Sequence, residues 1–264
     1  MRHVLVTGGS SGIGLAVADL LLERGDRVCL VARGEEGLAE AVRTLSRGMQ
    51  ARAERILAAP ADVTDGEALS RAVAHAASRF GTVDVLVASA GIVEPARFLE
   101  QDPATFDRQI SVNLTGVANS ARSVLPGMRE KGGGRVLIVS SGAGLIGIPG
   151  YSAYCASKFA LRGLAAALRA EMAPAGISVS ICFPPDTLTP QFERELPLRP
   201  PEAQALIGRV RPREAAIVAR AIVAGMDRGR REIHFGLALR LLGYFGPFAA
   251  SYLDRRSGAP PRRG

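Results

Sequence analysis

Two side chains four positions apart, Tyr154 and Lys158, are of the types that transfer protons to a bound substrate. On a helix, residues at positions i and i+4 share one face, so this spacing places the phenol beside the ammonium group. An ammonium group next to a phenol favours the phenolate and lowers the tyrosine pKa from about 10. The pair therefore predicts a general acid, Tyr154, that gives a proton to a ketone oxygen as a hydride reaches the carbonyl carbon.

The surroundings of this pair matter, because a tyrosine and a lysine at this spacing also occur by chance on surface helices. Lys158 is one of two lysines in a chain with 33 basic residues, so lysine is kept here where arginine is the usual choice. Ser140 and Ser141 lie at the end of a predicted strand, where a hydroxyl could bond the substrate oxygen. Tyr151 is followed four residues later by a cysteine, which is not a base, so no proton transfer is predicted there.

Asn113 interrupts a long helical pattern, and asparagine is a poor residue for the middle of a helix. We interpret the position as a local kink that holds a water molecule for proton relay. The alternative is a polar residue that the helix tolerates without a function.

A glycine-rich turn at residues 7–14 follows the first predicted strand and opens the first predicted helix. Glycine lets a pyrophosphate approach the backbone, and the start of a helix offers free N–H groups to phosphates. A glycine cluster alone is weak evidence, but its strand–turn–helix setting favours a dinucleotide site over a flexible turn. The residues predicted to contact the cofactor here are Gly8, Ser10, Ser11, Gly12, Ile13 and Gly14.

The choice of cofactor depends on Arg33, which comes just after the second predicted strand. Folds that bind NAD often carry an acidic residue near this position, where it bonds the ribose. A guanidinium group pairs instead with a 2′-phosphate, so Arg33 favours NADPH over NADH. The alternative is a solvated surface arginine. Asp62 and Val63 follow the third predicted strand and are expected to meet the adenine ring.

These residues need a scaffold that brings the ends of several strands together. Short, almost continuously apolar runs alternate with longer helical patterns, which indicates a parallel sheet covered by helices on both faces. The predicted fold class is α/β, a doubly wound parallel sheet. The predicted strands are residues 3–7, 27–31, 55–59, 83–88, 135–140 and 178–183, and the predicted helices lie near residues 13–24, 35–48, 65–79, 103–130 and 152–174.

We predict one domain over residues 1–235, with an irregular substrate loop that contains a short helix at 186–212 and a helix at 213–227, followed by an apolar segment and basic tail at 236–264. Apolar residues of 236–253 recur at helical spacing with arginines on both sides, which suits a helix in an anionic membrane interface. The alternative is a stripe packed on the core or on a second subunit. The apolar residues are Leu237, Leu241, Tyr244, Phe245, Phe248 and Tyr252, and the arginines are Arg228, Arg230, Arg231, Arg255, Arg256, Arg262 and Arg263.

Composition excludes several classes of protein. The 264 residues are 47% apolar, which excludes a disordered chain, and the net charge of +8 is concentrated in residues 193–264, with 14 basic and 7 acidic residues. Basic residues at one end, without a DNA- or RNA-binding motif, do not predict nucleic-acid binding. Three cysteines without CxxC spacing predict no disulfide framework and no metal site. Without a signal peptide or an apolar run of about 20 residues, we expect a cytoplasmic protein, at most peripheral on the cytoplasmic face of a membrane.

In their order along the chain, these residues resemble the short-chain dehydrogenase/reductase family over roughly residues 3–190. Beyond the glycine-rich turn, the matching residues are Asp62, Val63, Ala90, Gly91, Asn113, Ser141, Tyr154 and Lys158. Ser141 is preferred over Ser140 because it lies thirteen residues before Tyr154, as is usual in the family. The resemblance implies a Rossmann-type fold, one nicotinamide cofactor that Ala90 and Gly91 also contact, and a dimer or tetramer. It further implies that Ser141 orients the carbonyl, that Lys158 bonds the nicotinamide ribose, and that Asn113 anchors a water linking Lys158 to solvent.

Two stretches depart from the family pattern: residues 88–91 read Ala-Ser-Ala-Gly instead of Asn-Asn-Ala-Gly, and residues 184–185 read Pro-Pro instead of Pro-Gly. The second departure is informative, since residues 183–190, Phe-Pro-Pro-Asp-Thr-Leu-Thr-Pro, are similar to the 3-ketodihydrosphingosine reductases. This narrower resemblance implies NADPH-dependent reduction of 3-ketosphinganine to sphinganine in sphingolipid biosynthesis. It adds Pro184, Thr187 and Thr189 to the cofactor-binding residues, with Thr189 at the carboxamide.

Asp186 could pair with the amine that such a substrate carries beside its ketone; the alternative is that it caps the turn after two prolines. One rival function is reduction of another hydrophobic ketone, such as a 3-oxoacyl thioester or a steroid. Another is a non-catalytic, NADPH-binding, membrane-associated scaffold. The intact set of Ser141, Tyr154 and Lys158 argues against the scaffold, because a protein that only binds does not need a tuned acid.

Overall fold

A parallel β-sheet forms the centre of the molecule. The computed structural model describes residues 1–208 and 210–245. In chain order, the strands in that part of the chain are β1 (His3–Thr7), β2 (Arg27–Ala32), β3 (Ile56–Pro60), β4 (Val85–Ala88), β5 (Gly134–Val139), β6 (Ile177–Phe183), β7 (Thr187–Leu188), β8 (Arg213–Glu214) and β9 (Glu232–His234). Seven of them pair in parallel in the order β3-β2-β1-β4-β5-β6-β9, and β7 pairs separately with β8. The predicted doubly wound sheet is confirmed.

Helices flank this sheet. In chain order they are α1 (Gly12–Glu23), α2 (Glu35–Ser46), α3 (Gln50–Ala53), α4 (Gly66–Phe80), α5 (Pro103–Ile110), α6 (Gly116–Lys131), α7 (Ser152–Met172), α8 (Pro190–Glu195), α9 (Pro201–Ile207) and α10 (Ala215–Asp227). A π-helical turn, Ser111–Thr115, joins α5 to α6, and 3-10 turns lie at Gly142–Gly144, Ala173–Ala175 and Leu196–Leu198.

The sheet separates two apolar cores. Leu5 of β1 joins a core with residues of α4, α6 and α7, whereas its neighbours Val4 and Val6 join a second core with α1, α2 and α10. Successive residues of a strand point to opposite faces, so one strand contributes to both cores. Because helices cover both faces, every residue of β1 is buried. This is why the strands are continuously apolar in the sequence rather than alternating.

The strand order reverses between β1 and β4. β2 and β3 continue the sheet on one side of β1, and β4, β5 and β6 continue it on the other. At such a switch point the loops after the two central strands diverge and leave a crevice outside the carboxyl ends of the strands. The glycine-rich turn after β1 and the loop after β4 are therefore placed where a ligand binds in this class of fold.

The differences from the predicted elements are local. The six predicted strands agree with β1 to β6 within two residues at each end. β9 was not predicted, because a strand of three residues is too short to show a period. The predicted helix at 103–130 is two helices separated by a π-helical turn, and the region 186–212, for which one short helix was predicted, contains two, α8 and α9.

The C-terminal segment continues from the sheet as a helix at residues 237–245. Leu239 of this helix packs against both apolar cores and Leu242 against one, so its inner face belongs to the main domain. Within the described residues, no helix is both long enough and apolar enough to cross a membrane. The residues singled out in the sequence that lie outside the described part of the chain are Phe248, Tyr252, Arg255, Arg256, Arg262 and Arg263.

Candidate active site

A cavity of about 740 Å³ opens at the carboxyl ends of the central strands. This volume is within the range of sites that bind small molecules and cofactors. Most of the residues predicted to bind a cofactor line it. They are Gly8, Ser10, Ser11, Gly12, Ile13, Arg33, Asp62, Val63, Ala90, Gly91, Tyr154, Lys158 and Thr189.

The glycine-rich turn has a shape that only glycine permits at two positions. Gly8 adopts φ +69°, and a Cβ there would lie 2.8 Å from the Cα of Ala90 in the loop after β4. A Cβ on Gly14 would lie 2.4 Å from the carbonyl oxygen of Gly8. Gly14 does not line the cavity; it lets α1 start close against the turn, so its predicted contact with the cofactor is replaced by a packing role.

The start of α1 faces this cavity with free hydrogen-bond donors. Ser11 is the N-cap residue, but its side chain makes no capping hydrogen bond to the first turn. The first N–H groups of a helix have no partner within the helix and carry the positive end of its dipole. Ser11, Gly12 and Ile13 all line the cavity, so this end of it suits the phosphates of a dinucleotide.

The far wall of the cavity contains the side chains predicted to select the cofactor. Arg33 is exposed at its rim and forms no ion pair with another described residue. The Asp62 carboxylate accepts hydrogen bonds from the backbone N–H and the hydroxyl of Thr64, both at 2.8 Å, which fixes the loop after β3. Val63 is buried behind this loop. A free guanidinium group here fits the additional phosphate of NADPH.

Tyr154 and Lys158 lie on α7 at the inner end of the cavity, as their spacing predicts. The Lys158 ammonium group is 5.6 Å from the centre of the Tyr154 ring and donates a hydrogen bond of 3.1 Å to the Val139 carbonyl. Only 4% of Lys158 is exposed, and burial lowers its pKa to about 8. Ser140 donates a hydrogen bond of 3.0 Å to the Lys158 carbonyl, which fastens α7 to the end of β5.

The pKa of the Tyr154 phenol is shifted in the direction opposite to the one predicted. Burial and the nearby carboxylate of Glu195 raise its pKa well above the usual value, and the Ser141 hydroxyl lowers it by less. The sequence predicted a lowered pKa, because it placed an ammonium group on the same helix face. In the structure Lys158 is directed toward Val139, and removal of the phenol from water dominates.

Ser141 lies just beyond β5 and begins the turn at Gly142–Gly144. Its Oγ accepts a hydrogen bond of 3.2 Å from the Ala143 N–H, and its interaction with the phenol lowers the pKa of Tyr154. Ser140 lines the cavity, but its hydroxyl is engaged in the contact with α7. The choice of Ser141 over Ser140 as the hydroxyl that orients a substrate stays a prediction.

Asn113 lies in the π-helical turn and is fully buried. Its side-chain amide bonds both the N–H and the carbonyl of Ile92, at 2.8 and 2.9 Å, and donates to the Ser157 hydroxyl at 3.1 Å. The side chain thus fixes the loop after β4 against α7, beside Gly91. π-Helical turns inside helices frequently occur at functional sites, which agrees with the predicted kink.

Residues 184–189 close the other side of the cavity, and their roles differ. Thr189 lines the cavity and caps α8, with its hydroxyl accepting a 3.1 Å hydrogen bond from the Phe192 N–H. Pro184 and Thr187 do not line the cavity. The Pro184 carbonyl accepts from the Gly142 N–H at 2.9 Å, and the Thr187 hydroxyl donates to the Pro185 carbonyl at 2.8 Å. These two residues shape the loop that carries Thr189.

Asp186 joins a group of charged side chains that the sequence did not connect. Arg199 donates to the carboxylates of Asp186 and Glu195, at 3.0 and 2.9 Å, and to the Tyr151 hydroxyl at 3.1 Å. Tyr151 in turn donates to Glu195 at 2.5 Å. We refer to these four residues as the Arg199 cluster. The sequence places many charged residues in the predicted loop 186–212. Their pairing with Tyr151 could not be predicted, because it depends on the tertiary fold.

Comparison with known proteins agrees with this geometry. A family model described as short chain dehydrogenase matches residues 2–197. The chain is 39% identical to the 3-ketodihydrosphingosine reductase of Bos taurus, over 77% of this chain and 62% of the bovine protein. It is 34% identical to the 3-ketodihydrosphingosine reductase of Dictyostelium discoideum, over 96% of this chain and 81% of that protein. It therefore spans less than two thirds of the bovine relative's length.

Among solved structures, a variant of actinorhodin polyketide ketoreductase with NADPH superposes with a TM-score of 0.79. The two chains are 29% identical, and the match covers 92% of this chain and 97% of the other. The likeness thus extends over most of the chain rather than over a single motif.

Proposed function

This chain belongs to the short-chain dehydrogenase family, and on that premise we propose that it is an NADPH-dependent reductase that converts 3-ketosphinganine to sphinganine. The observation that carries the reaction type is the placement of Tyr154, Lys158 and the glycine-rich turn along a single cavity. The names of the bovine and Dictyostelium relatives support the choice of substrate.

The residues of the cavity fit a bound nicotinamide cofactor. The free donors at the start of α1 hold the pyrophosphate, and Arg33 holds the 2′-phosphate that distinguishes NADPH from NADH. Asp62 and Val63 bound the adenine, and Thr189 meets the carboxamide. When bound, NADPH supplies the hydride that the carbonyl carbon of the ketone receives.

Tyr154 is the proposed proton donor. Its raised pKa keeps the phenol protonated at neutral pH, which is the form that a reduction consumes. The Ser141 hydroxyl, whose interaction with that phenol lowers its pKa, is proposed to orient the carbonyl oxygen toward it. Lys158 gives one of its three N–H donors to Val139, which leaves two for the ribose of the cofactor and for a water molecule.

The water molecule predicted near Asn113 needs binding partners other than the Asn113 side chain. The amide of Asn113 is occupied by Ile92 and Ser157, so it is not free to bind a water directly. We infer that backbone carbonyls of the π-helical turn hold the water, because such a turn disrupts the usual ladder of helix hydrogen bonds. Asn113 then acts by fixing the loop that surrounds this position.

The experiment that tests the proposal follows NADPH oxidation with 3-ketosphinganine in mixed micelles. We expect turnover by the wild type and a loss of about a hundredfold or more in Tyr154→Phe, since general acid catalysis contributes that much. Ser70→Ala, which removes an exposed hydroxyl of α4 outside the cavity, is the control and should retain activity. Equal turnover by the wild type and Tyr154→Phe would rule out the assigned proton donor.

The strongest rival is reduction of another hydrophobic ketone, such as a 3-oxoacyl thioester or a steroid. The likeness to the polyketide ketoreductase is the observation that supports this rival function. Turnover with one of these ketones and none with 3-ketosphinganine would assign this rival function. A folded protein that binds NADPH and reduces none of the ketones would be the non-catalytic scaffold.

We also propose that the helix at 237–245 contacts an anionic membrane surface. Leu239 and Leu242 of this helix face the cores, whereas its other large apolar side chains face outward. Arg228, Arg230 and Arg231, in the turn before β9, are exposed and suit anionic lipids. The outward apolar side chains are Leu237, Leu241, Tyr244 and Phe245.

The compartment and the assembly are part of the proposal. Three buried, unpaired thiols, Cys29, Cys155 and Cys182, suit a reducing compartment such as the cytoplasm. A protein there would reach the membrane from its cytoplasmic face. The dimer or tetramer implied by the family resemblance stays a prediction.

A further inference from the structure

The Arg199 cluster lies beside the proposed proton donor. Tyr151 and Tyr154 are both near the start of α7, and their rings meet edge to face with centres 6.2 Å apart. The hydroxyl of Tyr151 donates to Glu195, at the end of α8. Three other residues of the same segment, Gln191, Arg194 and Leu198, line the cavity that contains Tyr154. The four residues of the cluster do not themselves line the cavity, so the cluster lies directly behind the part of its wall that Gln191, Arg194 and Leu198 form.

The charges of this cluster do not balance. Asp186 and Glu195 contribute two negative charges and Arg199 contributes one positive charge. The Arg199 side chain is only 2% exposed, and that of Glu195 is 12% exposed, so water screens neither well. An uncompensated negative charge that is largely withheld from water is unfavourable unless a cation approaches it.

The neighbouring charges leave this excess in place. Arg194 is adjacent in sequence to Glu195 and lines the cavity, but it is exposed and forms no ion pair with Asp186 or Glu195, whose described ion pairs are both with Arg199. Glu193 on the same helix is exposed as well and adds no positive charge. The direction of the electrostatic field at Tyr154 agrees, because Glu195 and Asp186 both raise the pKa of the phenol.

We propose that Glu195, held in place by Tyr151 and Arg199, is a specificity-determining residue that binds the ammonium group of an amino ketone substrate. The inference rests on the proposed function, in which the substrate carries an amine on the carbon next to its ketone. An ammonium group bound by Glu195 places that ketone beside Tyr154. It also restores charge balance in the cluster, so the contact contributes more binding free energy than it would in water.

The inference is tested by the preference for the amine, not by activity alone. kcat/KM is measured for 3-ketosphinganine and for the des-amino ketone of the same chain length, and the ratio of the two is compared between proteins. Glu195→Gln retains the hydrogen bond from Tyr151 but removes the charge. We expect it to lower the ratio about tenfold or more, the size of one lost charge-assisted contact. Glu193→Gln, on the same helix, is the matched control and should leave the ratio unchanged.

Asp186→Asn provides a second variant in case Glu195→Gln is unstable. It also neutralises the cluster, because Arg199 then balances Glu195, and it should lower the same ratio. An unchanged ratio in a folded Glu195→Gln or Asp186→Asn protein that binds NADPH normally would overturn the inference and leave the reductase assignment intact. Failure of the wild type to reduce 3-ketosphinganine while it reduces the des-amino ketone would reject both the proposed substrate and its ammonium site.

Discussion

At the scale of single residues, the proposed catalytic pair is controlled by burial. Removal from water disfavours the charged form of any group, so it raises the pKa of the Tyr154 phenol and lowers that of the Lys158 ammonium group to about 8. Both shifts suit a reductase. The tyrosine holds its proton until a ketone accepts it, and the lysine keeps its charge near neutral pH but can exchange a proton there.

Lys158 should make the stability of the protein depend on pH. Its pKa is about 8 when folded and about 10.5 when unfolded, so between these values the unfolded chain binds more protons and stability rises with pH. Below about pH 8, burial of the charge costs about 3 kcal/mol. We therefore expect the free energy of unfolding of the wild type, relative to Lys158→Met, to increase by up to that amount from pH 7 to pH 10.

Urea denaturation at the two pH values measures this difference. Lys131→Met is the control, since it removes the chain's other lysine, whose side chain is 45% exposed. A difference between wild type and Lys158→Met that stays constant from pH 7 to pH 10 would show that the buried ammonium group carries no such cost.

Arg33 should determine the preference between the two nicotinamide cofactors. Arg33→Gln removes the charge that we assign to the 2′-phosphate, and hydrogen bonds to charged groups contribute about 1.5–3 kcal/mol. We expect the ratio of kcat/KM for NADPH to that for NADH to fall about 10- to 100-fold. Steady-state kinetics with both cofactors measure it. Arg43→Gln, at an exposed arginine of α2 bonded to Glu40, should leave the ratio unchanged, and equal effects of the two substitutions would exclude the assignment.

At the scale of elements, the site depends on how closely β1, α1 and the loop after β4 approach one another. The turn between β1 and α1 contacts Ala90 at Gly8, and its carbonyl meets the start of α1 at Gly14. Asn113, from the π-helical turn, fixes the same loop from the opposite side. The cavity wall is thus assembled from backbone contacts, which explains why small residues are needed there.

Gly8→Ala should disrupt this assembly. The new methyl group would need φ +69° and would lie 2.8 Å from the backbone of Ala90. We expect a loss of about 1–3 kcal/mol in stability and weaker NADPH binding, because the strained turn must shift. Gly34→Ala is the control: it also lines the cavity, but its Cβ would meet nothing within 4 Å. Urea denaturation and fluorescence titration with NADPH measure both effects, and equal behaviour of the two variants would contradict this account.

At the scale of the whole molecule, the helix at 237–245 lies close to the proposed active site. A Cβ on Gly142, the residue next to Ser141, would lie 3.3 Å from the inward-facing side chain of Leu239 in that helix. Arg162 on α7 anchors the helix through a 2.9 Å hydrogen bond to the Gly243 carbonyl. A membrane contact through the outward face of this helix would therefore bring the lipid surface near the proposed site for the ketone.

Membrane binding should depend on that face. We expect the wild type to float with vesicles that contain phosphatidylserine, and the combined change Leu237→Ser, Leu241→Ser and Phe245→Ser to reduce the bound fraction at least about fivefold, because buried apolar area is lost. These residues are exposed, so the substitutions spare the core. Leu99→Ser, at a leucine that is 96% exposed elsewhere, is the control. Undiminished flotation of the triple variant would assign the face to another partner.

Local patterns in the sequence were sufficient for the fold and for the proposed reaction centre. Continuous apolar runs and a helical period of 3.6 residues depend only on neighbours along the chain, so they predicted the strands, most helices and the shared face of Tyr154 and Lys158. The glycine-rich turn could also be predicted from the sequence, because the proposed binding of a dinucleotide requires a fixed order of strand, turn and helix.

Only the tertiary structure decided how these groups are tuned and which distant residues join them. The phenol of Tyr154 is surrounded by residues from other elements, so the sign of its pKa shift depends on burial that no local pattern contains. Arg199 meets Tyr151, 48 positions earlier in the chain, for the same reason. The outward face of the helix at 237–245 is likewise fixed by tertiary packing, because Leu239 packs inward against both cores. Spacing along a chain determines which side chains share a face of one element, whereas packing of elements determines which faces are removed from water.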